Sequence, residues 1–153
     1  MTSLSENKRF TGSCLCRKVS FRVHLANIKM MYRCYCSLCR KQSGAASNAS
    51  SFVQTESFQW LQGESFIQTY IKDTGFSSCF CKQCGSPVPN VLAIDPKLMW
   101  IPLGLLDEDF SPEFELNFCV NAKVNWAERH QKCIEFDQLP NSTELANYSE
   151  VNS

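Results

Sequence analysis

Seven of the ten cysteines fall into three tight groups: Cys14-Leu15-Cys16, Cys34-Tyr35-Cys36-Ser37-Leu38-Cys39 and Cys81-Lys82-Gln83-Cys84. Thiols this close together are oxidised, catalytic or wrapped around a metal. As a set, C-x-C, C-x-C-x-x-C and C-x-x-C match the ligand spacing of zinc, which takes thiolate sulfurs at about 2.3 Å in a tetrahedron and so holds them about 4 Å apart. Alternate residues of an extended strand share a face, but their Cα atoms lie about 6.7 Å apart. A C-x-C pair therefore chelates only where its side chains converge or its backbone bends. Cys81 and Cys84 meet the demand more easily, because the residues between them form a tight knuckle. Gly85, directly after, can take positive φ and let the chain close around a metal.

Seven ligands divide as four plus three. Four thiolates close a structural site, and three leave a position open to water or substrate. Spacing alone does not fix which four belong together. In one division the first and last groups form the closed site and staple the sheet region across a long loop, which shrinks the unfolded ensemble and adds metal-binding energy to folding. The central group, compact enough to bind alone, is then the open site. Alternatively its thiols are redox groups, or a second structural site with Cys79 as fourth ligand. Cys119, between Phe118 and Val120, and Cys133, beside Ile134, read as small core residues. His24 and His130, the only histidines, lie outside the cysteine groups and read as surface or core residues.

The elements that must carry these thiols are strands. Val19-Ser20-Phe21-Arg22-Val23 alternates apolar and polar, and Met30 to Cys34 reads as a strand that delivers the central group. Gly12 is expected to supply a turn before the first pair, and Gln42 to Ser51 to form a loop or bend. Strand-like runs follow at Phe52-Val53, Phe58 to Leu61 and Ser65 to Ile71, and Phe76 to Phe80 leads to the last pair. Val91 to Ile94 and Leu98 to Ile101 flank an Asp95-Pro96 turn as a hairpin, and Glu115 to Val120 is one more strand. No segment shows sustained helical periodicity. The expected fold is all-β.

At 153 residues and 44% hydrophobic content, the chain supports one domain with a real core. That domain is expected over residues 9–139, with flexible tails at 1–8 and, where the chain turns Asn/Ser/Glu-rich, at 140–153. Zero net charge and the lack of a long basic run argue against nucleic acid and anionic membrane as partners. No apolar run approaches the ~20 residues that cross a bilayer, and the first residues lack the apolar stretch of a signal peptide. The expected compartment is the cytoplasm, where disulfides are rare and clustered cysteines favour metal.

Gly12-Ser13-Cys14-x-Cys16, Cys34-x-Cys36-Ser37-x-Cys39-Arg40-Lys41-x-Ser43-Gly44 and Phe80-Cys81-x-x-Cys84-Gly85-Ser86-Pro87 resemble the glutathione-dependent formaldehyde-activating enzymes, a family that includes centromere protein V. The resemblance runs from Phe10 to about Pro140 and takes in Trp126. It implies an all-β fold of several coiled antiparallel sheets stapled by zinc knuckles, with two zinc ions per chain: a structural one on Cys14, Cys16, Cys81 and Cys84, and an open, catalytic-type one on Cys34, Cys36 and Cys39. It also implies carbon–sulfur lyase chemistry, in which a thiol such as glutathione adds to formaldehyde or another small aldehyde, or leaves it. Arg40 or Lys41 would receive a glutathione carboxylate. The sequence departs from the family pattern at three places: Tyr35 and Asn117 stand where histidines are common, and Cys79 where arginine is frequent. The lost imidazoles would otherwise be proton-transfer groups, which favours an alternative reading as a non-catalytic zinc module that binds a thiol or a protein partner.

Overall fold

The computed structural model describes residues 9–128 and 133–149. Among these residues, ten strands make three sheets. The first is antiparallel: β1 (Arg9–Ser13), β2 (Ser20–His24) and β5 (Phe58–Gln62), in the order β1-β2-β5. The second has β3 (Met30–Cys34), β4 (Asn48–Gln54), β8 (Asn90–Val91), β9 (Leu98–Pro102) and β10 (Phe114–Phe118), in the order β10-β3-β4-β9-β8. The third pairs β6 (Ile67–Ile71) with β7 (Ser77–Cys81). The architecture is mostly β, as expected, and every pairing is antiparallel except β10 with β3, which is parallel. Parallel neighbours need a long crossover, and β10 lies 84 residues after the strand it joins.

Alternation explains how the first two sheets pack. Phe10 on β1 and Phe21 and Val23 on β2 point to one side and are fully buried. They meet Met31, Val53, Met99 and Ile101 from the five-stranded sheet to form the main core. Each such side chain contributes roughly 1.5–3 kcal/mol by leaving water. Gly12 makes the close approach possible: a Cβ there would lie 2.4 Å from the Phe21 ring and 2.9 Å from the Leu105 carbonyl oxygen. The turn expected at Gly12 is thus replaced by a strand position, paired with Phe21, whose need is space.

The five-stranded sheet is apolar on both sides. Residues one step away from the core positions (Tyr32, Cys34, Phe52 and Trp100) point to its other face and form a second cluster with Cys39. Three rings stack along this face, Phe118 on Tyr32 at 4.5 Å and Tyr32 on Phe52 at 4.8 Å. Burial pushes the Tyr32 hydroxyl well above the ordinary phenol range, so it stays protonated.

Two helices were not foreseen. α1 (Ser37–Ser43) occupies part of the expected loop, of which 44–47 remains irregular before β4. α2 (Ser142–Ser149) forms in the segment expected to be flexible; its residues are exposed through 148, and Asn141 and Glu144 bond to each other's backbone amides at its start. No helix among the described residues is long and apolar enough to cross a bilayer.

Candidate metal centres

The fold gathers seven cysteines into two groups, each with its sulfurs within 4.8 Å of one another: Cys14, Cys16, Cys81 and Cys84, and Cys34, Cys36 and Cys39. None of the seven is in a disulfide.

The four-cysteine group joins two knuckles from different sheets. The first is the β1–β2 connection, where Cys14 N–H donates to the Val19 carbonyl at 3.0 Å and Val19 N–H donates to Cys14 Sγ at 3.3 Å. The second follows β7: Gly85 sits at φ 80°, and its N–H reaches back to the Cys81 carbonyl at 2.7 Å. That turn is left-handed, which glycine accepts without steric cost. Leu15 N–H donates to Ser86 Oγ at 3.0 Å and ties one knuckle to the other. Cys14 and Cys16 sulfurs stand 3.6 Å apart, and Cys16 and Cys81 sulfurs 3.8 Å. These are the separations a tetrahedral zinc imposes, about 4 Å. Cys14 and Cys81 are buried against Val19 and Val88.

The three-cysteine group solves the C-x-C problem by ending a strand. β3 stops at Cys34, and the chain turns at once into α1 with Cys36 as its N-cap. Cys36 Sγ accepts from Cys39 N–H at 3.4 Å, which satisfies one of the helix's open amides. The turn swings Cys36 and Cys39 back beside Cys34, so three thiols converge from six consecutive residues.

Thiol packing sets the protonation pattern. In the first group the Ser86 hydroxyl and amide hold Cys84 down to about 5. Cys16 goes up to about 11: the Lys18 amide favours its thiolate, but desolvation and the thiols of Cys14, Cys84 and Cys81 outweigh it. In the second group burial raises Cys34 and Cys39. Burial also opposes the Cys36 thiolate, yet the Cys39 amide and the Cys39 and Cys34 thiols bring it below its ordinary range. Each group thus favours one thiolate, Cys84 beside the Ser86 hydroxyl and amide and Cys36 beside the Cys39 amide and two thiols, an arrangement that exchanges protons for a cation.

The remaining candidates take other places. Cys79 is buried on β7, its sulfur 3.2 Å from Thr69 Oγ1, and belongs to neither thiol group. Cys119 and Cys133 are exposed, against the expectation of core positions. Cys119 lies just past the end of β10 in a left-handed turn, and Cys133 runs with Ile134 and Phe136, which are themselves exposed. An apolar neighbour in sequence does not bury a residue outside a regular strand. His24 Nε2 and Gln59 Oε1 lie 3.0 Å apart on the partly exposed face of the first sheet. His130 falls outside the described residues. Asn117 shares the face of Arg33, its register partner, and so points away from the Cys34 side. Tyr35 is buried, with the Lys123 ammonium 4.8 Å above its ring. Arg40 is half-buried, and its Nε is enclosed without a hydrogen-bond partner.

Two hollows flank α1, and sequence reasoning foresaw neither. Beside Cys39 opens a cavity of about 260 Å³ walled by Tyr32, Phe52, Phe76, Leu92 and Trp100. On the far side of Gln42 and Phe76 lies a groove that carries Lys41, Lys72 and Tyr70. Gln42 Nε2 donates to Ser78 Oγ at 3.0 Å and so fastens α1 to β7 between the two. One signal was available: Leu98-Met99-Trp100-Ile101 is apolar at every position, which a strand needs only when both faces are covered.

Comparison with known proteins bears on the family and the fold. A Halomonas elongata protein named "Putative glutathione-dependent formaldehyde-activating enzyme" is 30% identical over 125 residues, spanning 76% of this chain and 78% of its own. The crystal structure of a Rhodobacter sphaeroides protein shares the fold, with a TM-score of 0.55 at 23% identity, over 69% of this chain and 98% of that one. The family model described as glutathione-dependent formaldehyde-activating enzyme matches residues 9–121. The chain belongs to that family.

Proposed function

We propose that the protein is a zinc-dependent carbon–sulfur lyase that joins a thiol such as glutathione to formaldehyde or a small aldehyde, and reverses that reaction. Cys14, Cys16, Cys81 and Cys84 would hold a structural zinc. Cys34, Cys36 and Cys39 would hold a second, with three ligands from the chain and room for a substrate thiol. The observation that carries this reading is the pairing of a three-sulfur group with a cavity that has Cys39 in its wall. When bound there, zinc supplies Lewis acidity and lowers the pKa of a thiol ligand.

The chain's own residues do the rest. The three cysteines set the position of the reacting end, and the aromatic wall covers one side of it. Lys41 and Lys72, in the adjoining groove, receive the carboxylates of an anionic thiol. Lys41 takes the role that Arg40 was expected to share, since Arg40 lines neither hollow. The thiol gives its proton to solvent, its sulfur attacks the carbonyl carbon, the C=O π pair moves to oxygen, and that oxygen takes a proton from solvent to give the hemithioacetal. The reverse breaks the C–S bond and returns the proton.

Hemithioacetals also form in water, so the test is a rate. Glutathione and formaldehyde should equilibrate faster with the zinc-loaded protein than with Cys36→Ser or with protein stripped by chelator. Equal rates would sink the lyase reading for this pair. A non-catalytic zinc module is the second reading, favoured by one observation: among the described residues no imidazole lines the cavity. Native mass spectrometry separates the two from a structural scaffold, since both predict two zinc ions per reduced chain and only one is expected if the triad holds none.

A further inference from the structure

The cavity beside Cys39 does not suit formaldehyde. Formaldehyde has two heavy atoms, whereas a hollow of about 260 Å³ approaches the size of drug-scale ligand sites, roughly 300–1,000 Å³. Its walls are mostly aromatic and aliphatic, and no charged residue lines it among the described residues. Its polar lining residues, Gln42, Asn48, Asn90, Tyr32 and Ser77, are uncharged. A glutathione peptide, with two carboxylates and an ammonium, would find no counter-charge here and would lose hydration. The lysine-bearing groove across Gln42 and Phe76 offers that counter-charge instead. The two hollows thus divide one substrate between them, an anionic part on the lysine side and an uncharged, apolar part on the aromatic side.

One further feature fits an apolar occupant. Ile94 lines the cavity and is 93% exposed, an aliphatic side chain waiting for a surface.

We propose that the cavity receives the alkyl or aromatic group of an aldehyde larger than formaldehyde, so that the substrate is the hemithioacetal of an anionic thiol with an apolar aldehyde. This rests on the reading that thiol–aldehyde chemistry runs at the cysteine triad, and specifies its substrate class. The bonds made and broken are those given above, with hydrogen on the aldehyde carbon replaced by a larger group.

The test uses the zinc-loaded full chain and inert thioethers. Binding of S-methylglutathione, S-hexylglutathione and an S-(5-carboxypentyl) analogue is measured by calorimetry. The hexyl compound should bind at least about tenfold tighter than the methyl one, given what burial of its extra methylenes contributes. The carboxypentyl compound should fall back to the methyl level. Ala93→Trp, at an exposed wall position, should narrow the cavity and abolish the hexyl preference over methyl. The same comparison is then made in turnover, with hexanal against formaldehyde. Equal hexyl and methyl affinities, or a hexyl preference that survives Ala93→Trp, would overturn the inference. If formaldehyde turns over without any alkyl preference, the inference fails and the lyase reading stands. If the hexyl preference appears and responds to Ala93→Trp but neither aldehyde turns over, the apolar site is upheld and the lyase reading fails.

Discussion

The two cysteine groups use the same ligand in opposite ways. The four-cysteine group bridges segments 65 residues apart and ties the β1–β2 knuckle to the end of β7. The three-cysteine group is made within one stretch by a strand that turns into a helix, and adds no long-range link of its own. The first closes a long loop, and the second opens onto a cavity. A thiolate cluster therefore contributes to stability according to how much chain it closes, and to chemistry according to what it leaves uncovered.

Substitutions can break this contrast. Cys84→Ser should cost the most: a cross-link spanning some 65 residues contributes about 4 kcal/mol by loop closure alone, so the variant should melt far below the parent in calorimetry. Gly85→Ala keeps all four sulfurs but forces a side chain into φ 80°, and should cost roughly 1–2 kcal/mol in urea unfolding. Gln42→Ala removes the 3.0 Å tie from α1 to Ser78 and should cost about 1 kcal/mol. Cys36→Ser should change stability least, within about 0.5 kcal/mol, because serine caps a helix as well as any residue. Its zinc count should nevertheless drop from two to one by mass spectrometry. If Cys36→Ser unfolds the protein as Cys84→Ser does, the central group is structural and the contrast collapses.

Much of this was legible because it is local. Ser20–His24 and Met30–Cys34 were readable from alternation and from the position of the central cysteines. The helix after Cys36 was not: it has seven residues, too few for a periodic stripe, and its cap is a cysteine rather than Ser, Thr, Asp or Asn. Gly12 looked like a turn because glycine often is one, yet what it answers to is a ring delivered by another strand. The exposed Cys119 shows the same limit, since the strand ends one residue before it. The cavity draws its wall from β3, β4, α1, β9 and the segments around Phe76 and Leu92. No single stretch of sequence contains enough of it to be seen.

The parallel pairing of β3 with β10 also has a consequence for synthesis. Met30 finds its register partner at Phe114, and Cys34 at Phe118. At about 5–20 residues per second, roughly 4–17 s separate the two strands on a translating ribosome. Through that interval one edge of β3 has no neighbour, and Phe118 has yet to cover Tyr32 beside the central thiols. The nascent chain therefore meets the cell's metals and oxidants with its most reactive six residues complete and their roof still unmade.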